Sequence, residues 1–167
     1  MRKMIEVARE AILTAGSLIR ETFGRELSGE VEEKDRNDYV TETDKASEKI
    51  ITNTLAKAYP NIPFLAEESA GKRGEDTFWV IDPLDGTTNF IHGYPHIGVS
   101  IALFEVKEPV LGLIYDPLRE EMFEALRGEG ARCNGRPISV SPARTLGESL
   151  LGAGFPFRAY DYIDDYL

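Results

Sequence analysis

A chain of 167 residues, 42% hydrophobic and 29% charged, has the length and makeup of one globular domain with a sizeable core. Its formal net charge of −10 opposes direct binding to nucleic acid or to anionic membrane surfaces, so a site for a phosphorylated ligand has to recruit positive charge locally, most simply as divalent metal. The single Cys133 excludes an internal disulfide and suits a reducing compartment, no apolar run reaches membrane-spanning length, and Arg9 and Glu10 interrupt any signal-peptide core, so the expected location is cytoplasmic.

Ile5, Ala8, Ile12, Ala15, Ile19 and Phe23 recur at helical spacing, which predicts an amphipathic helix from about Met4 to Phe23, stopped at Gly24. Arg25 to Asn37 is polar, carries both charge signs and reads as an exposed excursion. Tyr39 and Val40 give a short extended piece. A second helix follows to about Tyr59, with Thr43 as its expected N-cap, Asp44 in its first turn, and Ala46, Ile50, Leu55 and Ala58 broadly on one face. Pro60 closes it. On spacing alone, Asp44 reads as a residue that complements the helix dipole.

Ile62 to Ala66 predicts a strand ended by Glu67-Glu68, a pair that would ordinarily be solvated. After a Gly- and charge-rich connection, Phe78-Trp79-Val80-Ile81 predicts a buried strand, cut by Asp82-Pro83 and followed by Asp85-Gly86-Thr87-Thr88. From Ile97 the pattern changes to short strands: Ile97 to Leu103, Val110 to Tyr115, and Glu121 to Ala125. Asp116-Pro117, Gly128-Glu129-Gly130 and Asn134-Gly135 supply the turns of an antiparallel meander. Gly147 to Gly154 is expected as one more strand, and Tyr160 to Leu167 as the opening of a helix.

The chemistry concentrates around 82–88. Asp82, Asp85, Glu67 and a backbone carbonyl between the two aspartates form an oxygen-only donor set, which suits Mg²⁺. His92 and His96 have no ligand-like spacing, so Zn²⁺ is disfavoured. Two carboxylates three residues apart can serve two ions with one of them bridging. Gly86 lets the backbone approach a phosphate closely, and a Thr87 hydroxyl paired with a remote carboxylate can orient and deprotonate a water.

Asp82-Pro83-Leu84-Asp85-Gly86-Thr87-Thr88-Asn89-Phe90 resembles the first signature of the inositol monophosphatase family, which is long and specific. Glu67-Glu68-Ser69 and Asp38-Tyr39-Val40-Thr41 leading into Asp44 occur in the family's order. The similarity continues through Tyr115-Asp116-Pro117, Arg127-Gly128-Glu129-Gly130-Ala131 and Asn134-Gly135, closest to the bacterial extragenic-suppressor type. The resemblance displaces the bland readings of Asp44 and the glutamate pair. It implies an α+β, layered αβαβα fold, with the N-terminal helix pair and large antiparallel sheet encoded here. It also implies a first Mg²⁺ on Glu67, Asp82 and the Leu84 carbonyl, a second on Asp82 and Asp85, and a third, weaker one at Glu68 through water. Asp44 and Thr87 would activate the water, with Glu68 completing the catalytic set, while Asp85, Gly86, Thr87 and Thr88 would bind the phosphate. Lys34 falls in a loop that closes over the site in relatives.

The implied reaction is Mg²⁺-dependent hydrolysis of a myo-inositol monophosphate, inhibited by Li⁺. Fructose 1,6-bisphosphate or a nucleotide 3′-phosphate are alternatives of the same chemistry. Homodimerisation and a non-enzymatic partnership in transcription or ribosomal-RNA maturation are implied as well. The family's second signature, a Trp-Asp followed by small residues, is absent. Trp79 is the only tryptophan and belongs to the central strand. Residues 1–167 are therefore expected to be the N-terminal, metal-binding portion of such an enzyme, fuller for the first ion than for the second.

Overall fold

The computed structural model of the protein describes residues 1–25, 31–35, 38–69, 71, 74, 76–152 and 163–166, and for 31–35, 38–40, 165 and 166 the backbone alone. Helix α1 spans Arg2–Thr22 and buries Ile5, Ala8, Ala11, Ile12, Ala15, Gly16 and Ile19 along one stripe. Burial of side chains such as Ile5, Ile12 and Ile19 contributes about 1.5–3 kcal/mol each, which is what docks the helix. Gly24 follows with φ +74, the left-handed conformation that ends helices.

A short antiparallel pair comes next, β1 (Val31–Asp35) and β2 (Asp38–Thr41). The sequence VEEKD has neither apolar alternation nor β-branched enrichment beyond Val31, so the periodicity that reveals other strands is missing and the sequence predicts an exposed excursion in its place. Helix α2 spans Glu42–Ala58, and its N-cap is Thr41 rather than Thr43. The Thr41 hydroxyl accepts from the Thr43 and Asp44 amides, and the Asp44 carboxylate accepts from the Thr41 amide, a reciprocal capping box. The inner face also differs from the apolar stripe expected. Thr43, Asp44, Ser47, Glu48, Ile51 and Leu55 are buried, Ala46 and Ile50 are half-buried, and Ala58 is exposed.

The seven-stranded sheet runs in sequence order: β3 (Phe64–Ala66), β4 (Thr77–Asp85), β5 (Gly98–Glu105), β6 (Glu108–Asp116), β7 (Glu121–Leu126), β8 (Gly130–Cys133) and β9 (Arg136–Ile138). β3 pairs parallel with β4 and every later pair is antiparallel, so the expected meander forms, with a parallel strand added at one edge. In β5 Val99, Ile101 and Leu103 are buried, and in β6 Leu111, Leu113 and Tyr115; with Trp79 and Ile81 of β4 they form the core under α1 and α2. The opposite face leaves Ile114 and Phe123 exposed.

Asp82-Pro83 does not end the central strand. β4 continues to Asp85 through a register shift between Asp82 and Asp85 opposite β5. An irregularity of this kind accommodates a proline, which has no amide to donate, and it re-aims the flanking side chains. Helix α3 (Thr87–Ile91) begins directly after Gly86, whose φ is +91. The strand expected at 147–154 is not formed over its described residues. Leu146–Glu148 is a 3₁₀ turn and Ser149 to Gly152 is irregular, while 153 and 154 lie outside the described residues. Helix α4 covers Ile163–Tyr166, within the helix expected there.

Candidate metal and phosphate site

Three segments meet at the N-terminal half of α2: the turn after β3, the end of β4, and the start of α3. Asp44 is 1% exposed and ties the start of α3 to the N-cap of α2. Its Oδ2 accepts from the Thr41 amide at 2.8 Å and the Thr41 hydroxyl at 2.6 Å, and its Oδ1 accepts from the Thr87 hydroxyl at 2.9 Å. The Thr87 hydroxyl also lies 3.2 Å from the Leu84 carbonyl oxygen, the alternative acceptor for its one proton. Asp44 and Thr87, 43 residues apart in sequence, thus stand as an acid–hydroxyl pair.

Asp82 is half-buried, and its Oδ1 accepts from the Leu84 amide at 3.2 Å. Its carboxyl is pushed up to about 7, first by burial, then by the charge of Glu67, a hydrogen bond with it and the charge of Asp85, against an opposing effect of the Leu84 amide. Glu67 and Asp85 are solvent-exposed, Glu68 is half-buried, and Thr88 is exposed on α3. Among the described residues no three Asp, Glu, His or Cys side chains close into one cluster. The convergence is therefore a Glu67–Asp82 pair beside the Leu84 amide, with Asp85 close enough to act electrostatically.

Gly86 has a second reason to be glycine. A Cβ there would sit 3.0 Å from the His96 carbonyl oxygen, besides requiring a backbone that L-residues avoid. The Asn89 side-chain amide donates to that same carbonyl at 2.7 Å, closing the loop that carries Gly86. Beside Asp85 and Gly86 opens a cavity of about 460 Å³ whose polar lining includes Asn89, Asp116, Arg119 and Glu121. The side chain of Lys34 lies outside the described residues.

Two contributors were not foreseen. The Ser47 hydroxyl donates to the Pro83 carbonyl at 2.8 Å, and Glu48 Oε2 accepts from the Glu68 amide at 2.7 Å. A signal existed: polar residues at 44, 47 and 48 share the helix face whose continuation, Ile51 and Leu55, must point at the sheet.

A sequence model of the inositol monophosphatase family matches residues 1–166. The chain belongs to the inositol monophosphatase family. A family relative, the Nus factor SuhB of Pseudomonas aeruginosa, is 46% identical over 173 residues, which span 100% of this chain and 64% of that protein. Among solved structures of the family, the extragenic suppressor protein suhB of Bartonella henselae is 43% identical with a TM-score of 0.80, over 86% of this chain and 56% of that one. The Thermotoga maritima IMPase is 35% identical with a TM-score of 0.79, over 85% and 55%. The chain thus spans less than two-thirds of the length of these family members, and its seven-stranded sheet with packed helices is part of their fold. Among the described residues no helix is long and apolar enough to cross a membrane.

Proposed function

We propose that this chain carries the centre of a Mg²⁺-dependent phosphomonoesterase acting on a small polyol phosphate, with myo-inositol monophosphate as the leading substrate. The observation that carries the reading is the convergence of the Asp44–Thr87 pair with the Glu67–Asp82 carboxylates at the end of one bulged strand. The donors are all oxygen, and Asp82 and Glu67 face each other within hydrogen-bond reach. That set fits Mg²⁺. Glu67, Asp82 and the Leu84 carbonyl would hold the first ion, Asp82 and Asp85 a second, weaker one, and Glu68 a third through water. Bound there, the ions would neutralise phosphate charge and lower the pKa of a water.

The chain's own groups supply the remainder. Thr87 passes its hydroxyl proton to Asp44 Oδ1, which leaves the Thr87 oxygen an acceptor for a proton of the attacking water. The Asp44 carboxylate is fixed by its two bonds to Thr41, so the proton is received at a defined atom. The amides of Gly86 and Thr87, with the Thr88 hydroxyl and the Asp85 carboxylate at the rim, would orient the phosphate and the adjoining sugar hydroxyl. The cavity beside Asp85 offers acceptors for further hydroxyls. Residues 1–167 would then be the metal-binding portion of a cytoplasmic, dimeric, Li⁺-sensitive enzyme of this type. Fructose 1,6-bisphosphate and nucleotide 3′-phosphates remain alternatives of the same chemistry.

The test is phosphate release from inositol, sugar and nucleotide monophosphates at saturating Mg²⁺, with and without Li⁺. The reading expects Mg²⁺-dependent release from inositol monophosphate, abolished in Asp44→Asn. Release from none of them, or undiminished release by Asp44→Asn, overturns it. A second reading, a partner of the transcription machinery, is favoured by the similarity to a protein named a Nus factor. It predicts partner binding that survives Asp82→Asn.

A further inference from the structure

Besides Thr43, helix α2 buries the polar side chains of Asp44, Ser47 and Glu48, at positions i, i+3 and i+4, which lie on one face and about one turn apart. Each holds a different segment. Asp44 takes the Thr87 hydroxyl, Ser47 donates to the Pro83 carbonyl, and Glu48 accepts the Glu68 amide hydrogen. A glutamate on this face is costly. Glu48 is 5% exposed, and burying a carboxylate is unfavourable unless strong hydrogen bonds compensate, whereas an alanine or leucine would serve the core better. Its bond to the Glu68 amide is 2.7 Å long, in the range of charge-assisted contacts.

Pro83 sits between Asp82 and Leu84, and the Glu68 amide belongs to the peptide unit that joins Glu67 to Glu68. Ser47 and Glu48 therefore pin, from adjacent positions of one helix, the backbone immediately following each of the facing carboxylates, Pro83 after Asp82 and the Glu68 amide after Glu67. We propose that Glu48 is a positioning residue for the cation site: by holding the Glu67–Glu68 peptide against α2, while Ser47 holds Pro83, it sets the separation of the Glu67 and Asp82 side chains. The inference rests on the reading of these carboxylates as a Mg²⁺ site and adds to it a residue that touches neither ion nor substrate.

Glu48→Ala, Glu48→Gln and, as a control on the same buried helix face, Ile51→Val are compared with the wild-type chain. Mg²⁺ affinity is read by calorimetric titration, stability by thermal melting, and the exchange rate of the Glu68 amide by NMR. Loss of an outer residue that orients a ligand weakens metal binding roughly 10–100-fold. Glu48→Ala should fall in that range and expose the Glu68 amide to exchange. Glu48→Gln, which keeps an oxygen acceptor, should retain most of the affinity, and Ile51→Val should lower the melting temperature with affinity unchanged. Mg²⁺ uptake by Glu48→Ala equal to wild type overturns the positioning role alone, as does a loss in Ile51→Val that tracks its stability. A wild-type chain that takes up no Mg²⁺ overturns the cation site and the positioning role together.

Discussion

Asp44→Ala separates the structural work of this carboxylate from its chemical work. The substitution removes the acceptor of the Thr41 amide, the Thr41 hydroxyl and the Thr87 hydroxyl. The two hydroxyls can turn, and Thr87 has the Leu84 carbonyl at 3.2 Å as a substitute. The Thr41 amide cannot move without breaking the capping box, and Thr41 is fully buried. A stranded buried donor costs about 1–3 kcal/mol. Loss of a cap interaction costs about 0.5–2 kcal/mol and is largely the same event, so the two overlap rather than add. Relief from burying the charge returns part of this. The net expectation is a loss of about 2 kcal/mol, read from urea denaturation as a shift in midpoint at unchanged slope. Asp44→Asn keeps one oxygen acceptor and should lose about half as much stability, yet remove the proton acceptor entirely. A stability loss under about 0.5 kcal/mol for Asp44→Ala would refute the capping assignment.

Three further outcomes follow from the same geometry. The folded protein holds the Asp82 proton to about 7 against 3.8 for an unperturbed carboxyl, so it binds more protons than the unfolded chain between these values. In the metal-free protein this contribution is full below pH 3.8 and is lost as pH rises through 7; denaturation across pH 4–8 should show that decline, and Asp82→Asn should flatten it. Asp116 behaves oppositely: burial would raise its carboxyl, but the Arg119 and Leu118 amides and the Arg119 guanidinium together hold it below the ordinary value. Its stabilisation is present above that value and lost as pH falls through the folded one, so Asp116→Asn should lose stability near neutral pH and progressively less as acid protonates the folded carboxyl, measured by acid titration of the fold. Gly86→Ala forces a residue with a Cβ into the left-handed region at about 1–2 kcal/mol and presses it on the His96 carbonyl. It should lower the melting temperature and also weaken phosphate binding, measured with inorganic phosphate at saturating Mg²⁺.

Residues that bury apolar surface with a regular period were legible in the sequence. The stripe of α1 and the alternation in β5 and β6 each report a face that must meet the core. The turns at Gly128 and Asn134 have positive φ at Gly128, Asn134 and Gly135, which is why those residue types announce them. The motif from Asp82 to Phe90 pointed to the site because its bulge, its left-handed glycine and its carboxylates are one local unit. What escaped was set by contacts distant in sequence. Ser47 and Glu48 share the inward face with Ile51 and Leu55, but what they bond is unknown until Pro83 and Glu68 are brought over them. Thr41 and Thr43 both qualify as caps by type, and the choice falls to Thr41 because Asp44 then stands at the position that answers back to the cap amide. β1 has no apolar rhythm to detect, since VEEKD alternates no apolar residues, and its pairing with β2 in a separate two-stranded sheet is set by backbone bonds that carry no sequence period.

The most direct measurement of the central claim is calorimetric titration of Mg²⁺ into the wild-type chain and into Asp82→Asn at pH 8, where the Asp82 carboxyl is ionised. The Glu67–Asp82 pair predicts saturable Mg²⁺ uptake by the wild type and its loss in Asp82→Asn, with both proteins folded by circular dichroism. Identical titrations of the two folded proteins, whether both bind or neither does, would contradict it.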